Sequence, residues 1–310
     1  MIRFPFRSGG LKTEAIFYRE NTEEAGSIRR EEQDSKARIK EIHKELNELI
    51  GLQNVKKMIF EVQAFVEIQK RRAQEKLAAE STVLHAVFKG NPGTGKTTVA
   101  RIVARLFKEV GVLQKGHLVE VERADLVGEY IGHTAQKTRE QIKKAIGGIL
   151  FIDEAYSLAR GGEKDFGKEA IDVIVKEMED NKDNLIIILA GYKEEMDWFL
   201  STNPGLRSRF PLHIEFLDYR PEELYNIAHL MYKARQYQLS DEARGTLERI
   251  IKRQVLLGHE YSGNARLVRN LVESSLRTQA VRLVNKQYIT RDDLMLIQSI
   301  DLLDAARRCQ

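Results

Sequence analysis

The 310-residue chain carries 50 basic and 46 acidic residues, a net charge of +4, so its composition gives no electrostatic footprint for nucleic acid and fits a soluble globular protein of about two domains. Its single cysteine, Cys309, excludes an internal disulfide. The most apolar runs, 145–152 and 185–191, fall well short of the roughly 20 residues a membrane helix needs, and the N-terminus, interrupted by Pro5, lacks a continuous apolar signal region, so a cytoplasmic protein with no membrane partner is expected.

Residues 1 to about 26 show no sustained period and are expected to be loosely ordered. A one-sided helix is predicted over 27–49, where Ile39, Ile42, Leu46 and Leu49 recur at helical spacing before Gly51. A second follows from about Leu52 to Ala79, with Leu52, Val55, Ile59, Val62 and Val66 on one face. From Leu84 short apolar strands alternate with helices. Strands are predicted at 84–89, 117–122, 148–153, 184–190 and 212–216, and helices at 97–110, 134–146, 167–180 and 193–200. Such alternation specifies a parallel sheet with helices on both faces, and ligands then bind at the carboxyl ends of its strands. After Pro221 only helical periodicity remains, at about 221–236, 240–257, 264–286 and 290–298, which predicts a separate small all-helical unit.

The first strand feeds Gly90-Asn91-Pro92-Gly93-Thr94-Gly95-Lys96-Thr97-Thr98, a match to the Walker A pattern at Gly90, Gly95, Lys96 and Thr97. Backbone N–H groups in such a loop cradle phosphates, the lysine reaches the terminal oxygens, the Thr97 hydroxyl binds Mg²⁺, and the helix that follows adds the positive end of its dipole. Strand 148–153 ends in Asp153 and Glu154. In P-loop enzymes an acid here holds Mg²⁺ and its neighbour polarises water for in-line attack, so Asp153 is assigned to the metal and Glu154 to the water.

With these motifs in place, the sequence resembles the AAA+ ATPases over about residues 45–300. The resemblance implies an ATPase with ATP/ADP and Mg²⁺ as cofactors, and a P-loop AAA+ α/β fold: a five-stranded parallel sheet with helices on both faces plus a small all-helical lid. It divides the chain into a charged, partly helical segment 1–45, a nucleotide-binding domain 46–217 and a lid 218–310. Glu48-Leu49-Ile50-Gly51-Leu52 looks like the segment that packs on the adenine, so Ile50 and Gly51 are expected to contact the base, apolar packing alone being the alternative. Asn91, Pro92, Gly93, Thr94, Gly95, Lys96, Thr97 and Thr98 would hold the phosphates. The stretch 203–211 resembles the arginine-finger region, with Arg209 the first choice and Arg207 the second. Gly263-Asn264-Ala265-Arg266 resembles sensor 2, which brings Arg266 to the γ-phosphate. The chain departs from the family at sensor 1: where many members have Asn, Leu189-Ala190-Gly191-Tyr192 leaves either the Tyr192 hydroxyl in that role or the role absent.

Between the second strand and its helix lies Gly128-Glu129-Tyr130-Ile131-Gly132, which resembles the pore loop with which AAA+ remodellers grip an extended polypeptide, implicating Tyr130, Ile131 and Gly132. An aromatic ring offers large, sequence-tolerant contact area and glycine lets the loop move. The strings 88–96, 127–138, 153–159 and 189–192 narrow the resemblance to the CbbX type, a group that includes red-type Rubisco activases and sporulation proteins of endospore-forming bacteria. A ring-forming, hexameric, chaperone-like remodeller of a protein client, linked to sporulation, is implied. The alternatives are a Rubisco-activase-like remodeller, a nucleic-acid-acting AAA+ ATPase of helicase-loader or clamp-loader type, and a nucleotide switch with little turnover. Near-neutral charge disfavours the nucleic-acid partner, and Glu154 with Arg209 disfavours the switch.

Overall fold

The computed structural model describes residues 33–79, 83–130, 132–161, 165–256 and 263–308. The expectations for residues 1–26, for Ile131 and for Cys309 lie outside them. Helix α1 occupies 33–48, followed by α2 (Gln53–Gln74), β1 (Ala86–Gly90), α3 (Lys96–Glu109), β2 (Leu118–Val121), α4 (Arg123–Leu126), α5 (His133–Ala145) and β3 (Ile149–Ile152). After a 3₁₀ turn at Ala155–Ala159 come α6 (Gly167–Asp180), β4 (Ile186–Gly191), α7 (Lys193–Thr202), α8 (Pro204–Arg209) and β5 (Leu212–Phe216). The remainder comprises α9 (Pro221–Ala234), β6 (Gln238–Leu239), α10 (Asp241–Leu256), α11 (Asn264–Val284), α12 (Arg291–Met295), β7 (Leu296–Ile297) and α13 (Ser299–Arg308).

The five main strands form one parallel sheet in the order β2-β3-β4-β1-β5. Alternation along each strand divides its side chains between two cores. Phe88, Phe151, Ile188 and Phe216 face α1, α2 and α3. Val87, Leu150, Ile187 and Leu189 face α5, α6 and α7. Because both faces are covered, β3 and β4 are buried throughout, which is why they read as unbroken apolar runs. A third core, around Leu224, Leu247, Val268 and Leu302, belongs to the segment from α9 onward.

Two predicted helices end differently. Helix α2 stops at Gln74 instead of Ala79, because Lys76 takes a left-handed φ of 55° and the N–H groups of Lys76 and Leu77 turn back to Ala73 O and Arg72 O. The helix expected over 290–298 breaks after Met295: Gln279 Nε2 lies 3.0–3.1 Å from the carbonyl oxygens of Asp293, Leu294 and Leu296, and Leu296–Ile297 pairs with Gln238–Leu239. The C-terminal unit is thus helical apart from this two-residue strand pair. Among the described residues no helix is long and apolar enough to cross a membrane.

Candidate active site

Strands β3, β4 and β1 are neighbours, so their carboxyl ends bring Asp153–Glu154, Gly191–Tyr192 and the Gly90–Gly95 loop together. The loop is shaped by close backbone approach. A Cβ on Gly90 would lie 2.3 Å from Phe216 O on the neighbouring strand. Buried Thr94 donates its hydroxyl to Asn91 O at 2.8 Å, so it holds the loop's shape from beneath. Lys96 Nζ donates to Gly90 O at 2.7 Å and Asn91 O at 3.0 Å. Burial pushes the Lys96 ammonium below its ordinary range; Asp153, Asp218 and Glu154 oppose this and Arg266 adds to it. Thr97 and Thr98 face the same cleft.

At the end of β3, Glu154 N–H donates to Asp153 Oδ1 at 3.0 Å, and Glu154 itself sits at φ 47°, ψ 42°. A left-handed glutamate is strained by about 1–3 kcal/mol, a cost that concentrates at functional sites. Among the described residues no three or more His, Cys, Asp or Glu gather as a metal site. Mg²⁺ takes one or two protein oxygens and completes its shell with phosphate and water, and Thr97 and Asp153 are the residues that would hold it. Tyr192 lines the cleft and stacks at 5.9 Å on buried Tyr156, whose phenol burial pushes above its usual range. Gly191 permits this contact, since a Cβ there would lie 2.7 Å from the Tyr156 ring.

The cleft has a volume of about 670 Å³. One end is apolar, with Leu49, Ile50, Leu52 and Tyr219 opposite Ile227 and Met231 of α9. The other is polar, with Lys96, Asp153, Glu154 and the α11 arginines Arg266 and Arg269. An elongated ligand with an apolar ring and a phosphate chain fits both ends. Ile50 is in the wall, whereas Gly51 is pressed against α9, with Glu223 Oε1 2.6 Å from where its Cβ would be. Pro92, Gly93 and Gly95 line the cleft, and Asn91 instead directs its amide to Asp218 at 3.0 and 3.1 Å. Sequence reasoning missed Arg101, Arg235 and Arg269, as well as the α9 wall. Arg269 carried a usable signal, three residues after Arg266 on the same helix face; the others need the tertiary fold.

Four expected residues, Arg209, Arg207, Tyr130 and Gly132, do not line the cleft. Arg209, on α8, pairs with Glu179 at 2.9 Å and donates to Gly205 O at 2.9 Å, and Arg207 is exposed. Tyr130 is 66% exposed, its ring edge-on to His133 at 5.5 Å. Gly132, close by, takes φ 82°, and a Cβ there would meet no atom within 4 Å.

The sequence pattern of the ATPase family associated with various cellular activities (AAA) matches residues 86–217, and that of the AAA lid domain matches 220–310. Stage V sporulation protein K of Bacillus subtilis (strain 168) is 56% identical over 266 residues, 85% of this chain and 82% of that protein. The chloroplastic ribulose bisphosphate carboxylase/oxygenase activase of Cyanidioschyzon merolae is 45% identical over 269 residues, 86% of this chain and 91% of that one. The FIGL-1 AAA domain shares the fold, with a TM-score of 0.59 over 85% of this chain and 83% of that one at 20% identity. An AAA sequence pattern, an AAA lid pattern and relatives of this similarity, CbbX among them, show that the chain belongs to the AAA ATPase family.

Proposed function

We propose that the chain is a ring-forming, hexameric AAA+ remodeller that spends ATP hydrolysis on pulling a polypeptide client through a central pore. The observation that carries the client reading is Tyr130: a large aromatic left two-thirds exposed, on a loop whose neighbouring Gly132 has a left-handed backbone and open space around it. An exposed ring on such a loop suits sequence-tolerant grip. Acidic Glu129 beside it, on a chain of nearly neutral charge, supports a protein client over a nucleic acid.

In this reading Lys96 and Arg266 bind the terminal phosphates, Thr97 and Asp153 hold Mg²⁺, and Glu154 takes the proton of the attacking water. Bound Mg²⁺ would offset phosphate charge. Ile50, and Gly51 through its backbone, face the base, and Tyr192 stands in the sensor 1 place. Residues 46–217 then form the motor body and 218–310 the lid. Arg209 belongs to the site of a neighbouring subunit, with Arg207 second. A role in sporulation is supported by the name of the 56% identical relative, and an activase-like role by the 45% identical one.

The test is client capture. Glu154→Gln protein, which in this reading should bind ATP without turning it over, should retain a polypeptide client under MgATP, and adding Tyr130→Ala should abolish retention while MgATP binding persists. Retention that survives loss of the Tyr130 ring overturns the threading role.

A further inference from the structure

A buried amide side chain sits where the phosphate loop meets the lid. Asn264, the first residue of α11, is only 2% exposed and takes φ 43°. Asn is among the few side chains that enter this left-handed region readily. Its Oδ1 accepts from Tyr219 N–H at 2.9 Å, and its Nδ2 donates to Asp218 Oδ1 at 2.7 Å and to Pro92 O at 3.4 Å. The Asp218 carboxylate in turn accepts from Asn91 of the phosphate loop at 3.0 and 3.1 Å. One amide thereby joins the loop, the connector after β5 and the lid helix.

Two further contacts tighten the joint. Ala265 N–H donates to Gly93 O at 3.2 Å, and Tyr219 donates its hydroxyl to Thr94 O at 3.2 Å. Gly93 sits so close that a Cβ would fall 2.4 Å from Gly263 O and 2.8 Å from Arg266 N. Only a planar group carrying both a donor and an acceptor meets these partners. Aspartate would set a carboxylate against the Asp218 carboxylate and the Pro92 carbonyl, and an apolar residue would orphan Tyr219 N–H.

We propose that Asn264 is a positioning residue for ATP hydrolysis: it fixes Arg266, two residues further along, against the phosphate loop, with Asp218 relaying the position of Asn91 to the lid. The assignment depends on the reading of Arg266 as a phosphate-binding arginine. It predicts that Asn264 contributes to turnover only through Arg266.

The experiment is a double-mutant cycle on the full chain, with kcat for MgATP measured in N264D, N264G, R266A and the double variants, alongside thermal melting. N264D keeps the shape of the side chain, and N264G keeps the left-handed backbone without the amide. Each single change at position 264 should lower kcat about tenfold, the scale of a lost hydrogen-bond set to a charged group. Combined with R266A, neither should lower it further. D218N added to N264D should recover part of the loss, because Asn at 218 can donate to the new carboxylate while still accepting from Asn91. If R266A itself turns over like the wild type, the Arg266 reading fails and this one with it. If R266A is impaired but the losses multiply, or if both position-264 variants keep wild-type kcat, the positioning role alone is overturned.

Discussion

A single buried histidine shows how one residue sets a pH limit on the whole fold. His85 precedes β1, its Nδ1 accepts from Ile187 N–H at 3.0 Å, and its ring packs at 5.8 Å on Phe210. The bond to Ile187 requires an unprotonated Nδ1, and burial pushes the imidazole down to about 4, against small opposing effects of Glu179 and the Met178 carbonyl. The folded value lies below the unfolded one, so the unfolded chain binds the proton first as pH falls. Stability is therefore complete above about 6.5 and declines down to about 4, by roughly 3 kcal/mol in total. Urea unfolding at pH 7.5 and 4.5 should show this loss, and His85→Asn should flatten it. His213, whose ordinary value is also lowered by burial and then by Lys89, leaves a smaller residual slope. At this scale the sequence was legible where chemistry imposes a spacing. Lys96, Thr97, Asp153 and Glu154 converge on one cleft because Asp153 and Glu154 directly follow β3, and Lys96 and Thr97 open α3 after the loop that leaves β1. The left-handed backbones of Glu154, Leu52 and Asn264, and the buried role of His85, arise from tertiary contacts and have no local pattern to announce them.

Elements were read well when their burial was periodic. All five strands lie within two residues of their predicted ends, since alternate residues had to enter two cores. The helical spacing in the sequence is followed only to 298, and α13 lies beyond it. In the fold Asp301 is 1% exposed and forms a two-point pair with Arg282 of α11, at 2.8 and 2.9 Å, while also accepting from Gln298 N–H at 2.8 Å. The pair pins α13 across α11 and so fixes the outer wall of the lid. Removing one partner strands the other's charge, so Asp301→Ala should destabilise the lid by about 3–5 kcal/mol. Arg282→Met with Asp301→Leu should cost much less, because it strands no charge. Calorimetric melting of the three proteins checks the order, and equal losses in single and double variants would count against this view of the pair.

In the proposed reading the cleft draws one cation, which meets charge developing on the transferred phosphoryl, from a neighbouring subunit. Its best candidate, Arg209, is kept on the outside by Glu179 and Gly205 O. A second copy of the chain can supply that guanidinium, and rings are the closed form such head-to-tail contacts take. Two variants then fail for different reasons. Glu154→Gln subunits lack the base but offer an intact Arg209, while Arg209→Ala subunits keep the base but cannot serve a neighbour. Each alone should be inactive, with an arginine finger worth about 10³–10⁵ in rate. Co-expressed in equal amounts and mixed at random, about one interface in four pairs an intact Glu154 with an intact Arg209, so ATPase activity should return to about a quarter of the wild-type rate. Restoration of this kind requires a site built from two chains, because neither variant carries both groups. A mixture as inactive as its components would instead place the whole reaction within one subunit, and Arg209 would then be an ordinary partner of Glu179.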